Sequence, residues 1–557
     1  GASQSQVRVN FGQKPFKFPP PDGFQPLNLS NVQPEKVITR PDKYVGVSLW
    51  SGNGTSQNIT GLKHKPDFVW IKKRAGGTAR SHQLFDSVRG VYQTLHSNSA
   101  GVEDTNTNRL TAFNQDGFAV GGDDGSNGSG GTFVGWTWKA GGNKNTFNID
   151  DVGYANASDV NMSVGALNSY AYDQSQTWSD SSNISGSPRP ANNQYGPPNM
   201  FNGILANEST TGGVCFSTYS SNSSMTWTSP VTFSNLTSLR LYLDKSGSGT
   251  GFLRVNGNNY DSLSTDGWVT IPESSLSTIQ FGYTGGLNTA TGVCGVEVDG
   301  ILLIDSGVSV TNVPSIAATG SSVGTKQGFS IVSYTAAGGS TASIPHGLNQ
   351  SPDFVIIKNR DGGTSGSAGG WYSIYHDGFT NNHMYGFNNV SSSDSAWNNH
   401  GLITGTNSSV VEVANGDHSS ANNWWTHSNG ADYIMYSWHN VPGLQKFGTY
   451  IGNGSADGPF IELGFKPAIF WMKAATATGN WVMIDNKRPG YNPDQKTLCA
   501  NLANAENASG GTTNDILSNG FKVRGTTDRN SSGVTYIYCA WAEAPTINLY
   551  GAQANAR

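Results

Sequence analysis

Charge is what this chain has least of: Asp, Glu, Lys and Arg together make up only 13% of its 557 residues, and the formal net charge is −5. No basic block stands anywhere. Tracking a phosphate backbone needs clustered Lys and Arg, so the composition argues against nucleic-acid binding. Cysteine is also sparse. Four residues (Cys215, Cys294, Cys499, Cys539) cannot staple a chain of this length into a disulfide scaffold. The nearest pairs along the chain, 215–294 and 499–539, stay open as bridges beside the plainer reading of buried thiols. No run of 18 apolar residues is present, so no helix is expected to cross a membrane. P-loop, Gly-x-Ser-x-Gly and His-Glu-x-x-His patterns are absent. No leader peptide is visible, and the chain opens on Gly1 rather than Met, so its natural start is expected upstream.

What is present is glycine (71 residues) and aromatic side chains (11%), with abundant Val, Ile and Thr. Low charge alone would fit a disordered chain, but disordered chains are poor in aromatic and β-branched residues. These residues suit pleated sheets. Asn-Gly, Asp-Gly, Gly-Gly and Ser-Gly dipeptides supply the positive φ angles of tight β connections. The expected class is all-β, and the length suggests roughly three to five domains.

Three landmarks recur in fixed order, which marks an internal repeat. An aromatic residue leads into a turn at Trp50-Ser-Gly-Asn-Gly, Tyr334-Thr-Ala-Ala-Gly and Tyr450-Ile-Gly-Asn-Gly. A short apolar run ending in Lys follows at Pro66-Asp-Phe-Val-Trp-Ile-Lys72, Pro352-Asp-Phe-Val-Ile-Ile-Lys358 and Pro467-Ala-Ile-Phe-Trp-Met-Lys473. The unit closes at Phe133-Val-Gly-Trp-Thr-Trp138, Tyr433-Ile-Met-Tyr-Ser-Trp438 and Tyr536-Ile-Tyr-Cys-Ala-Trp541. Each landmark reads as a strand buried on one or both faces. In the last, period 2 puts Tyr536 and Tyr538 on one face, with Trp541 expected beside them. The proline before the second strand costs no ladder bond at a strand's first position. Units of about 100 residues with such strands fit antiparallel β-sandwiches.

The expected division is a terminal strand and linker (1–36), repeat one (37–142), a linker (143–160), an inserted module (161–312), repeat two (313–441) and repeat three with a tail (442–557). Within the insert, Leu239, Leu241 and Leu243 alternate, and Val298-Asp-Gly-Ile301 reads as a hairpin. The copies differ. Repeat two holds seven of the ten histidines (His346, His376, His383, His400, His418, His427, His439) and a longer stretch before its last strand. Added loop length on a duplicated scaffold is where recognition tends to settle.

Sugar rings stack their C–H faces on aromatic side chains while amides and carboxylates fix the hydroxyls. Trp371, Trp397, Trp424 and Trp425, with Asn422 and Asn423, are therefore the expected glycan contact; burial in core or interface is the competing reading. The acidic turn between two strands offers Asp123, Asp124 and Asn127 as calcium ligands, without EF-hand spacing, so a plain hairpin loop is the simpler account. The histidines show no metal-ligand spacing. Glycoside hydrolysis needs two carboxylates across one sugar; Asp86, Asp123, Asp124, Asp377 and Asp485 are candidates, but no pair stands out. Asp86 and Asp485 occupy matching places in units one and three, and His376-Asp377 the same place in unit two. A recurrent polar position after an apolar strand reads as a turn acceptor, so no enzyme activity, catalytic residue or cofactor is expected beyond the calcium.

Residues 9–24, Val-Asn-Phe-Gly-Gln-Lys-Pro-Phe-Lys-Phe-Pro-Pro-Pro-Asp-Gly-Phe, resemble the closing strand of a SPRY domain whose body is missing. The order Phe201-Asn-Gly203, apolar strands and Glu297-Val-Asp-Gly300 resembles galactose-binding-like jelly rolls, which implies a sandwich that faces glycans. The runs Asn53-Gly-Thr55, Pro66–Arg74, Leu84-Phe-Asp-Ser-Val-Arg-Gly90, Ser129–Val134, Tyr450–Pro459 and Asp515–Lys522 resemble repeat-containing virion appendage proteins of tailed bacteriophages, especially cyanophages. That resemblance implies a distal tail-fibre protein on the virion. Its expected partners are host-surface glycan or lipopolysaccharide and other tail proteins. Three-chain assembly is implied in the same way. The alternatives are a capsid-surface decoration protein and a depolymerase tailspike.

Overall fold

The computed structural model describes residues 37–157, 160, 167, 172–192, 194–205, 214–246, 251–263, 266–283, 290–308, 314–338, 341–361, 372–379, 383–385, 387, 402–414, 426–488, 491–508, 513–547 and 553–554. Among these the chain is all β: strands are joined by turns, and the longest helical piece is the four-residue 3₁₀ turn Pro197–Met200. The SPRY-like run lies outside the described residues.

Each repeat builds the same two-layer unit. Its inner sheet runs, in order, opening, closing, central and edge strand. In unit one these are Val45–Ser51, Thr132–Trp138, Phe68–Ala75 and Gln83–Asp86. Unit two uses Phe329–Thr335, Asp432–Trp438, Phe354–Asn359 and Ser373–His376. Unit three uses Gln445–Ile451, Thr535–Ala542, Pro467–Ala474 and Val482–Asp485. Three short strands form the outer layer, for example Gln57–Ile59, Gly117–Val120 and Leu110–Asn114 in unit one. All ladders within these inner and outer sheets are antiparallel.

The apolar runs are two-faced because successive side chains leave a strand on opposite sides. Val69 and Ile71 pack into unit one's own sandwich, Val355 and Ile357 into unit two's, Phe470 and Met472 into unit three's. Their neighbours Phe68 and Trp70, Phe354 and Ile356, Ile469 and Trp471 point the other way and meet in one shared core. The three sandwiches are therefore fused around a common aromatic centre. Period 2 also corrects the expectation for the last strand. Tyr536 and Tyr538 face unit three's own core, while Trp541, an odd number of residues on, faces the shared one.

The described residues of 143–160, expected as a linker, are part of unit two. Phe147–Ile149 and Val152–Tyr154 form a hairpin, and the first pairs in parallel with Ala318–Gly324, which pairs with unit two's opening strand. Phe147, Ile149 and Val160 are buried in unit two's core. Unit two's inner sheet thus grows to eight strands. The inserted module is a separate sandwich of two five-stranded sheets. Leu239, Leu241, Leu243, Trp178, Trp227 and Phe281 fill its core. The predicted hairpin is present: Val298 pairs with Ile301, and Asp299 and Gly300 both hold positive φ (49° and 81°), as a two-residue primed turn requires.

Candidate functional site

The three closing tryptophans, Trp138, Trp438 and Trp541, form a triangle at the centre, with ring centroids 6.4, 6.2 and 5.3 Å apart and edge-to-face planes. Each comes from a different unit and is fully buried. Edge-to-face rings at this spacing gain beyond area burial because ring edges and faces carry opposite charge.

Around the triangle, the closing strand of each unit makes a polar contact with the edge strand of another. Trp136 Nε1 of unit one donates to Asp485 Oδ2 of unit three at 3.0 Å, and Tyr436 Oη of unit two donates to Asp86 Oδ2 of unit one at 2.7 Å. At the third junction His376 Nε2 of unit two donates to the Tyr538 carbonyl of unit three at 3.2 Å. Asp86, His376 and Asp485 end equivalent edge strands, as their spacing in the sequence foretold. Three residues on, Arg89 and Arg488 pair with Asp86 and Asp485 at 2.5 and 2.6 Å, with every partner fully buried. Unit two has Phe379 there, packed in the shared core.

Charged contacts strengthen the same two junctions. Arg74 reaches Glu506 at 2.9 Å, and Arg360 reaches Glu103 at 2.9 Å. Glu506 also receives Arg488, and Glu103 receives Arg89; Arg360 and Arg89 together hold the Glu103 carboxyl below its ordinary range. Lys72 Nζ donates to the Ala503 carbonyl and Lys358 Nζ to the Ala100 carbonyl, in matching positions. Burial pushes the ammonium of Lys72 down to about 8 and those of Lys358 and Lys473 to about 7. The carboxylates Asp86 and Asp485 are therefore junction residues closed off from any polysaccharide. Each holds its own unit's arginine and, across the junction, a Tyr or Trp side chain, the role of a structural acceptor.

Of the expected glycan contacts, Trp371, Trp397, Asn422, Asn423, Trp424 and Trp425 all lie outside the described residues. The expected calcium loop is described. Asp124 bridges Lys73 and Arg80 at 2.7 and 2.6 Å. Asp123 accepts from Gly125 N and Gln83 Nε2 at 2.8 and 3.1 Å. Asn127 Nδ2 donates to Asn53 Oδ1 and the Thr55 carbonyl at 2.9 and 2.6 Å. Unit three repeats that bracket with Asn530 on Asn453 and Ser455, and unit two with His427 on the Gly338 carbonyl. Asn127 is thus a recurrent turn clamp, and the loop's carboxylates are turned to protein donors. Among the described residues no group of three or more His, Cys, Asp or Glu side chains is placed to hold a metal. All four cysteines are free thiols.

In unit two His346, His376, His427 and His439 are buried packing residues. His346 donates from Nε2 to the Asn407 carbonyl and accepts Leu348 N at Nδ1; His376 accepts Gly378 N at Nδ1. Burial pushes both rings down to about 4, so both are neutral at pH 7. Asp377 accepts from the Tyr375 hydroxyl at 2.6 Å, and its neighbour Asp353 is pushed up to about 6, first by burial.

One cavity escaped the sequence reading. It holds about 230 Å³ in unit three, on the outward face of the inner sheet. Met472, Val482, Thr497 and Cys499 floor it, Thr478 and Asn480 stand at its rim, and Arg529 forms a wall. Lining up the aromatic-to-carbonyl bonds that recur in each unit would have exposed that arginine. Trp50 donates to the Ser126 carbonyl, Tyr334 to Thr426 and Tyr450 to Arg529. Two units place a small hydroxyl residue where the third places a guanidinium.

These features define the class as an internally triplicated β-sandwich protein with a module inserted between its first and second units. A family model described as "Domain of unknown function (DUF7483)" matches residues 40–165 and 304–545, well over half of the chain, and the protein belongs to that family. The break in the match coincides with the inserted module, whereas units two and three are matched without interruption. No curated protein and no solved structure matches the chain.

Proposed function

We propose that the chain is the distal part of a phage tail fibre that contributes to host attachment by binding surface glycans. The observation that supports this reading is how the sequence divides between shared and unshared parts. What recurs in the three units is spent on the common core and the junctions, so it explains folding. What does not recur is the insert, the tryptophan-rich loops of unit two and the cavity of unit three. A body whose three units share one tightly packed centre, and whose differences lie outside that centre, suits adhesion. Three-chain assembly on the virion belongs to the same proposal.

The test is adsorption. A variant carrying Trp424→Ala and Trp425→Ala, checked for a cooperative unfolding transition, should compete with virions for host cells at least tenfold less well than the parent protein. Undiminished competition by the folded variant would remove unit two's loops from the proposal. Light scattering on the purified chain should return three times the single-chain mass.

A further inference from the structure

We propose that the free edge of unit one's opening strand, Val45–Ser51, is an acceptor for an extended segment of another protein, which joins the sheet as an added strand carrying small residues at alternate positions.

Three equivalent edges carry the argument. Val45, Phe329 and Gln445 stand opposite the closing tryptophans Trp138, Trp438 and Trp541, so the opening strands align residue for residue. Lys139 N donates to the Tyr44 carbonyl and Gly52 N to the Gly131 carbonyl, so Gly46, Ser48 and Trp50 bond the closing strand. The backbone N–H and C=O groups of Val45, Val47, Leu49 and Ser51 therefore face away from the sheet. In unit two the matching Phe329, Ile331 and Ser333 are covered, for they pair with Gly324, Ser322 and Gly320 of the strand Ala318–Gly324. In unit three the connector does part of the same work. Gln445 exchanges both backbone bonds with Val441, and Asn440 Oδ1 accepts from Phe447 N at 2.8 Å. Among the described residues nothing bonds the unit-one edge in this way.

That edge lies in a continuous groove. A cavity of about 290 Å³ is lined by Val45 and Val47 and, from unit three, by Ala468 and Ala542. A second, of about 380 Å³, runs between Val47–Trp50 and the outer strand Gln57–Ile59, and the two share Val47, Gly61 and Leu62. The strand carries no charge, no proline and no register shift, the devices that keep exposed edges from pairing, and Leu49 on it is 40% exposed. Main-chain bonds to such an edge give affinity for an extended segment, and side-chain fit gives selectivity. Unit two supplies the template for that fit, since its cover strand sets Gly and Ser at the matching positions.

The probe is a synthetic peptide with the sequence of residues 317–326, Ala-Ala-Thr-Gly-Ser-Ser-Val-Gly-Thr-Lys. It should bind the whole chain in calorimetric titration. Hydrogen exchange at the Val47 and Leu49 amides, fast in the free chain, should slow at least tenfold when the peptide is bound. Leu49→Pro removes an outward N–H that the ladder does not use, a change that edge strands accept. It should weaken peptide binding at least tenfold while the variant unfolds cooperatively. Thr449→Pro, at the matching place in unit three, should leave binding unchanged. No binding at millimolar peptide, or binding that Leu49→Pro leaves intact, would overturn the proposal. Slow exchange at Val47 and Leu49 without peptide would also overturn it, because the chain's own segments would then fill the edge. The three-chain mass expected above should persist in Leu49→Pro; its loss would make a second copy the occupant and remove the other protein.

Discussion

Among the described residues, two of the three junctions between units are built from charge and the third is not. Where unit one meets unit three, and where unit two meets unit one, a buried Asp–Arg pair, a shared glutamate and a second arginine repeat residue for residue. Where unit three meets unit two, the positions equivalent to Asp86, Arg89 and Arg74 hold His376, Phe379 and Ala475, all buried. The fold thus accepts either solution at one geometric place. Buried ion pairs are therefore not what brings the units together; the common apolar centre does that. The pairs that cross a junction, Arg74–Glu506 and Arg360–Glu103, specify which unit meets which, because an arginine facing the wrong neighbour would lose its carboxylate.

The largest effect should come from the centre that all junctions share. Trp138→Ala, and equally Trp541→Ala, should cost about 3–5 kcal/mol in urea unfolding, since each leaves a ring-sized void that close-packed neighbours fill only in part. A marked inequality between the two would break the threefold equivalence. Next, Arg89→Ala should cost about 3 kcal/mol, because it strands Asp86 in the interior. Installing unit two's own solution, Asp86→His with Arg89→Phe, should cost clearly less than that single change; a larger loss would mean the junctions are not interchangeable. Arg74→Ala, at a partly exposed pair, should cost about 1 kcal/mol.

Stability also depends on pH through the buried lysines. Lys358 and Lys473 titrate near 7 when folded and Lys72 near 8, against 10.5 for an ordinary lysine. Between these values the unfolded chain binds more protons than the native one, so stability rises as pH climbs from about 7 to 10. Lys358→Met should flatten that rise, read as urea midpoints across the range. An unchanged slope would assign the pH response to other groups.

Much of this was legible. The three landmarks are the opening, central and closing strands; the insert's own strands run from Tyr172 to Leu303, while Leu167, inside the expected span 161–312, packs in unit two's core. Runs such as Phe68-Val-Trp-Ile announced burial on both faces, but a run cannot say what covers its second face. That partner lies hundreds of residues away, as Trp70 on Trp471 illustrates. The hairpin at Phe147–Ile149 was hidden for a different reason. Three residues among Gly, Asn and Lys carry too short a pattern, and their pairing with residues 321–323 is decided by tertiary fit. Arg529 was invisible until equivalent backbone bonds aligned it with Ser126 and Thr426. The glycan candidates of unit two fall outside the described residues and keep their standing as expectations.

The parallel pairing of Phe147–Ile149 with Ser321–Val323 sets the strands on either side of the insert next to each other, and Tyr172–Asp173 beside Leu302–Leu303 does the same at the module's own root. A segment that leaves and returns at one point hardly changes the closure entropy of its host when its length changes. The insert is therefore a replaceable cartridge. Its length or its content can change without disturbing the pairing and packing of the three-unit body.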